Sequence, residues 1–241
     1  MSNAIAIMEA SMISGMNILD IISHNLANAD TAGYKREISV TQPFSTVLLE
    51  ANNKSIANNG ENTTTYTDFS LGIPRHTGNP LDLTIEGDGF FTLESPQGTV
   101  YTRQGSFSLD ASGHIVTTAG YKLIGETGPI RLTSEQPRID NEGMIWQGEE
   151  LAGHIKIAEF TNTASLQKIG SGLFGAGSSS SQLVSNGKTG VRQGFLETSN
   201  VNGMHEMVHL ISTMRQLEGS QKVIQGYNDM LDLAIETIAD I

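Results

Sequence analysis

The sequence predicts an α+β protein: long N- and C-terminal helices pair as a coiled coil, and a central all-β, antiparallel domain lies between them. Three patterns carry that expectation. An apolar seam recurs in alternating steps of three and four near the N-terminus, and a second seam does so near the C-terminus. Between them the apolar residues alternate with period two, in short runs punctuated by Gly-containing turns. On this reading the 241 residues divide into an N-terminal helix over 1–28, an extended or loop region over 29–70, a β domain over 71–198 and a C-terminal helix over 199–241.

The first seam runs Ile5, Met8, Met12, Gly15, Leu19, Ile22 and Leu26, in a helix expected over 3–27. Gly15 either allows close helix approach or simply weakens the helix. The helix should stop in Asn28-Ala29-Asp30-Thr31-Ala32-Gly33, where Asn, Asp and Gly favour turns. A short apolar piece follows from Phe44 to Leu49. Ala51 to Thr65 is almost purely polar, with five Asn within eleven residues, and reads as an exposed loop.

From Leu71 the period changes to two. Leu81, Leu83 and Ile85 alternate up to the turn Gly87-Asp88-Gly89, and Phe90, Phe91 and Leu93 follow. Val100 to Leu109 reads as one strand, Asp110-Ala111-Ser112-Gly113 as a turn, and Ile115 to Thr118 as the next strand. Further strands are expected at Arg138–Asp140, Met144–Trp146 and His154–Phe160, and Phe195-Leu196 closes the β region. Gly170 to Gly190 holds twelve Gly or Ser in 21 residues without periodicity, so a long flexible loop is expected there.

Ser199-Asn200-Val201-Asn202 offers N-cap candidates for the last helix. Its seam runs Met207, Leu210, Met214, Leu217, Gln221, Ile224, Asn228, Leu231, Ile235 and Ile238. A 3.5-residue repeat held this long is a coiled-coil seam rather than the wider stripe of a helix on a globular core. Gln221 and Asn228 sit at alternate seam positions, where buried polar residues set register and partner number; the bland alternative is that the seam is solvated there. Eight of the nine methionines lie in residues 1–16 and 204–230, at the helix seams or beside them. Flexible thioethers suit either core filling or a surface that meets several non-identical neighbours. The pattern points to assembly rather than turnover.

Composition excludes several classes. A net charge of −12, with no basic cluster, argues against nucleic acid and against an anionic membrane surface. The absence of cysteine excludes disulfides and thiolate metal sites. The N-terminus lacks a basic region before an unbroken apolar run, so no secretory signal is expected, and no run approaches the length of a membrane span.

Two short motifs suggest chemistry. His205-Glu206-Met207-Val208-His209 matches H-E-x-x-H, in which histidines at i and i+4 hold zinc and the glutamate acts as general base. A third ligand is required. The candidates Glu218, Asp229 and Asp232 lie further along the same helix, Asp229 being about 30 Å beyond His209. An exposed histidine pair is the favoured reading, with a zinc metallopeptidase as the alternative from another class. Gly170-Ser171-Gly172-Leu173-Phe174-Gly175 matches G-x-G-x-x-G, but a Gly/Ser tract follows where a dinucleotide site needs a helix. Asp82, Glu86, Asp88 and Asp110 sit beside turns, where Asp commonly bonds local backbone. No catalytic residue, metal or cofactor is assigned.

The run Asn25-Leu26-Ala27-Asn28-Ala29-Asp30-Thr31-Ala32-Gly33-Tyr34-Lys35 closely resembles the signature of bacterial flagellar rod and hook proteins. Thr77 to Leu83, Gly87 to Phe91, Tyr101-Thr102-Arg103-Gln104-Gly105 with Phe107, and Val191 through Asn202 resemble the same family in the same order. The resemblance covers the whole chain. It implies a structural subunit of the basal-body rod, crossing the periplasm and passing torque from motor to hook. It also implies partners among other rod proteins and copies of itself, and export in unfolded form by the flagellar type III apparatus without a cleaved signal. The terminal helices would form an inner coiled-coil tube with the β domain outside, ordering fully on assembly. Modest length, and Gly125 to Ile130 after Tyr121-Lys122-Leu123, most resemble the proximal-rod, FlgF-type members, with the distal-rod type as the close alternative. A β-domain binding module outside the flagellum is the remaining rival.

Overall fold

The computed structural model describes residues 2–41, 63–133, 136–177, 182–183 and 189–239, with the side chains of residues 2–10, 41, 63–64, 182–183 and 231–239 outside that set. Two helices flank a central antiparallel β region: α1 spans Ser2–Ala27 and α2 spans Gly203–Ala239. Both ends of α1 and the start of α2 agree with the sequence pattern. Asn202 caps α2, its Oδ1 accepting from the His205 backbone N–H at 3.2 Å. No helix among the described residues is long and apolar enough to cross a membrane.

The chain separates into two compact units. The helical unit comprises Met1–Ala27, Glu37–Tyr66 and Asn202–Ile241; the β unit comprises Asn28–Arg36 and Thr67–Val201. The stretch 29–70, expected as one extended region, is therefore shared between them. Strands β1 (Glu37–Thr41) and β2 (Thr63–Thr67) pair with each other, and β2 begins inside the polar stretch expected as loop. The apolar piece from Phe44 to Leu49 lies outside the described residues.

The β unit continues with β3 (Pro74–His76), β4 (Leu83–Glu86), β5 (Phe90–Ser95), β6 (Gly98–Thr102), β7 (Phe107–Leu109), β8 (Ile115–Thr117) and β9 (Lys122–Gly125). Then come β10 (Gly128–Pro129), β11 (Arg138–Ile139), β12 (Met144–Gln147), β13 (Glu150–His154), β14 (Ile157–Phe160), β15 (Leu166–Gly170) and β16 (Leu173–Ala176). Last are β17 (Gln182–Leu183), β18 (Gly190–Gln193) and β19 (Phe195–Glu197). The largest sheet has the order β15-β16-β6-β5-β9-β8-β7, with β10 on β9 and β14 bridging β5 and β17. β11, β12 and β13 form a separate meander, while β18 pairs with β4 and β19 with β3.

Alternation explains why the core is double. On β5, Phe91 and Leu93 enter one cluster with Leu81, Leu83, Ile85 and Ile145, while Phe90 enters a second with Tyr101, Phe160 and Phe174. Adjacent residues of a strand point to opposite faces, so a strand apolar at consecutive positions is covered on both sides. Phe69 and Phe174 meet Phe90 edge-on at 5.5 and 6.0 Å.

Three expectations change. The strand expected over Val100 to Leu109 breaks between Thr102 and Phe107. There Gly105 crosses so close to β4 that a Cβ would collide with the Leu83 carbonyl, and the Leu83 N–H donates to Gly105 at 2.9 Å. The strand expected over His154–Phe160 begins at Ile157 instead. The Gly/Ser tract expected as loop contains β16 and β17, with Leu173 and Phe174 buried. Its G-x-G-x-x-G match forms the turn between β15 and β16 and the first residues of β16, with positive φ at Gly170, Ser171 and Gly172, so a strand stands where a dinucleotide site needs a helix. Local composition hides β16 because part of its order comes from β6, remote in the chain, while its other partner is the neighbouring β15.

Candidate functional site: helix faces and a buried clasp

Within the helical unit, α1 and α2 lie side by side. Gly15 marks the contact: a Cβ there would stand 2.6 Å from Leu217 Cδ2, so the missing side chain admits the leucine. Around it Ile22 is buried, and Met12, Leu19 and Leu26 are half-buried, while Ile13 and Met16 face out. Ile5 and Met8, and Leu231, Ile235 and Ile238 on α2, lie outside the side chains described.

On α2 the inward face keeps the 3.5 repeat but differs from the apolar seam at every second position. Leu210, Leu217 and Ile224 turn inward, alternating with Glu206, Thr213, Ser220 and Tyr227. Met207 and Met214 are 52% and 47% exposed, and Gln221 and Asn228 are exposed as well. Hydrophobicity alone favours methionine over threonine or serine for a seam. Small residues allow closer backbone approach than methionine does, which leaves the methionine row free on the outer face. With Met204, Val208 and Ile211, all more than half exposed, that row forms an apolar strip along the first half of α2.

The N-terminal motif builds a different feature. In the helical unit Asn25 is buried and exchanges two hydrogen bonds with Glu37: its Nδ2 donates to the Glu37 carbonyl at 2.8 Å, and its Oδ1 accepts from the Glu37 N–H at 2.9 Å. In the β unit the Thr31 N–H donates to the Asn28 carbonyl at 3.1 Å and its hydroxyl contacts Asn28 Oδ1 at 3.2 Å, shaping the turn. Gly33 adopts φ +68°, where a Cβ would collide with the Arg103 carbonyl, and its N–H donates to the Glu197 carbonyl at 2.8 Å. Tyr34 is buried and lies under the ammonium of Lys168 at 4.8 Å.

Lys35 reaches the interior. Its Nζ donates to Glu197 Oε1 at 2.5 Å and to the Ser70 carbonyl at 2.7 Å. The other carboxylate oxygen of Glu197 faces Arg103 at 3.4 Å, and Oε1 also accepts from the Gly72 N–H at 2.8 Å. Arg103 donates to the Gly87 carbonyl at 2.6 Å and stacks over the Phe90 ring at 5.1 Å. Two cations thus share one carboxylate inside the protein. Burial pulls the Lys35 ammonium below its usual range, partly offset by attraction to Glu197, and burial likewise lowers Arg103. Asn200 completes the arrangement: its Oδ1 accepts from the Arg36 N–H at 2.7 Å while its Nδ2 donates to the Asp68 carbonyl at 2.8 Å. The sequence placed Arg103, Glu197 and Asn200 in runs that resemble the family, and Asn200 also as a cap candidate, but gave none of them a partner.

The H-E-x-x-H residues separate by face. His205 and His209 are exposed, whereas Glu206 is buried. Among the described residues no group of three or more His, Cys, Asp or Glu stands close enough to hold a metal ion.

Comparison with known proteins follows the same segments. Residues 17–35 match the family described as Flagella basal body rod protein. Residues 84–171 match Flagellar hook protein FlgE/F/G D1 domain, and residues 192–237 match Flagellar basal body rod FlgEFG protein C-terminal. The flagellar basal-body rod protein FlgF of Mesorhizobium japonicum is 30% identical over 225 residues, covering 91% of each chain. FlgG of Bacillus subtilis is 31% identical, covering 92% of this chain and 95% of its own, and FlgG of Borreliella burgdorferi is 33% identical, covering 90% and 91%.

The chain belongs to the flagellar basal-body rod protein family.

This rod protein is accordingly a structural subunit and not an enzyme, of the type shared by FlgF and FlgG. Its clasp draws on all three matched segments: Lys35 lies in the first, Arg103 in the second and Glu197 in the third. The ion triplet joins parts of the rod protein that are far apart in sequence.

Proposed function

We propose that this chain is a proximal-rod subunit that assembles through its terminal helices with other rod proteins and with copies of itself, as a coiled coil. The observation that carries the reading is the outer face of α2, where Met207 and Met214 keep the 3.5 repeat yet face solvent beside Val208 and Ile211. Burying such side chains against neighbouring helices stabilises by about 1.5–3 kcal/mol each, enough to offset much of the ordering cost of the helix ends. The remaining seam positions, Ile5, Met8, Leu231, Ile235 and Ile238, extend the contact. Assembled in the periplasmic rod, the helices carry torque from motor to hook, and the chain travels there unfolded through the flagellar type III apparatus.

The proximal position is supported by length. The alignment with the Mesorhizobium FlgF reaches 91% of this chain in 225 positions, whereas that with the Bacillus FlgG takes 254 positions to reach 92%. The longer alignment carries insertions that the FlgF type does not need.

Quantitative mass spectrometry of purified hook–basal bodies from the source cell tests the assignment. A few copies per particle supports the proximal rod, and a several-fold higher count moves the chain to the distal rod. Absence from the particle defeats both.

A further inference from the structure

His205 and His209 play no part in the assembly reading, yet they form an organised pair. Both are exposed on α2, one turn apart, with ring centroids 4.5 Å apart and planes crossing at 80°. Their Nε2 atoms stand 3.0 Å from each other. The backbone beneath them is held by the Asn202 cap, which bonds the His205 N–H itself. We propose that this pair is a bidentate binding site for a divalent transition-metal ion.

The distance carries the argument. Metal–imidazole bonds are about 2.0–2.1 Å long, so two nitrogens 3.0 Å apart subtend an angle of about 91–97° at a shared ion. That is the cis angle of a square-planar or octahedral centre, and it is narrower than the tetrahedral angle that zinc adopts in structural sites. Imidazole donors without thiolate and a cis angle suit both Cu2+ and Ni2+, and the general order of affinities ranks Cu2+ above Ni2+. The site offers two protein ligands and leaves the other positions to water. Glu206, buried on the inward face, supplies neither a third ligand nor a base, so the pair binds a metal without the hydrolytic apparatus its motif suggests. When the ion takes Nε2 the ring proton moves to Nδ1, and because only neutral imidazole ligates, protons compete with the ion and binding weakens on acidification.

A calorimetric titration of the full chain with NiCl2, in non-chelating buffer at mildly alkaline pH, tests the site. We expect one ion per chain, and binding weaker by about tenfold or more in His205→Gln and in His209→Gln, because each variant reduces a chelate to a single ligand. Both positions are exposed, so unchanged circular dichroism separates loss of a ligand from loss of fold. CuCl2 should bind more tightly than NiCl2, and ZnCl2 more weakly. Failure of the wild type to bind, binding as tight as wild type by either variant, or a preference for zinc each overturns the proposal.

Discussion

The ammonium of Lys35 lies 2.5 Å from the carboxylate of Glu197, across 162 positions of sequence and with both side chains almost fully withdrawn from water. Ion pairs at such depth add little net stability when complete, because desolvation offsets their attraction, but an unpaired buried charge is expensive. The pair therefore acts as a specifier: it requires the segment after α1 and the segment before α2 to meet at one register.

Glu197→Gln should leave Lys35 and Arg103 facing each other without an anion, destabilising the β unit by about 3–5 kcal/mol. Lys35→Met should cost less, because Arg103 and the Gly72 N–H still satisfy Glu197. Urea denaturation of both variants, followed by tryptophan fluorescence, checks the order; an equal or reversed cost would contradict it.

Two glycines should respond differently to alanine. Gly33→Ala places a Cβ against the Arg103 backbone at positive φ, and a loss of about 2 kcal/mol or more is expected. Gly15→Ala meets only the flexible end of Leu217, and the gain in helix propensity of about 1 kcal/mol opposes the crowding. Its melting temperature should stay close to wild type, while Gly15→Leu should separate the helices.

The outer row of α2 should matter for assembly and not for folding. Met207→Glu combined with Met214→Glu is expected to abolish incorporation into rods while changing stability by no more than about 0.5 kcal/mol per site. Leu217→Glu, on the inward face, should damage both. Motility of complemented cells and thermal melts of the purified chains separate these outcomes. Deleting residues 229–241 should likewise stop incorporation with the β unit still folded; entry of that chain into rods would remove the C-terminal seam from the mechanism.

Asp110 holds the turn that follows β7. The backbone N–H of His114, and after it that of Ser112, donate to its Oδ1, both at 2.8 Å, and these bonds depress its pKa below 3.8. A depressed carboxylate contributes stability that is fully present above its unfolded value and is lost as pH falls through the folded value. Acid unfolding of wild type should therefore include a component, below about pH 3.8, that Asp110→Asn lacks. A carboxyl titration followed by NMR at this residue would show whether the midpoint lies below the ordinary range.

The two helices, their caps and the β character between them were legible in sequence because each rests on local information. A 3.5-residue period, an Asn before a helix and a Gly at a turn act within a few residues of themselves. The alternation of Leu81, Leu83 and Ile85 likewise declared a buried strand face, and the motif around Asn25 to Lys35 was visible as a string. What the motif does was not visible. That Lys35 and Arg103 share Glu197, and that Asn200 bonds Arg36 and Asp68, depends on segments far apart in sequence arriving together. β16 went unseen for the same reason, since part of its order comes from the distant β6.

The helix seam divides most clearly along this line. Sequence alone determined that α2 has a 3.5-residue repeat through Leu210, Leu217 and Ile224. Only the tertiary structure decided which neighbouring row would share the inward face, and it chose Thr213 and Ser220 over Met214 and Gln221. Hydrophobicity ranks residues one at a time, whereas the separation of two packed helices depends on the volume both surfaces present at the point of contact, and no single segment contains that quantity.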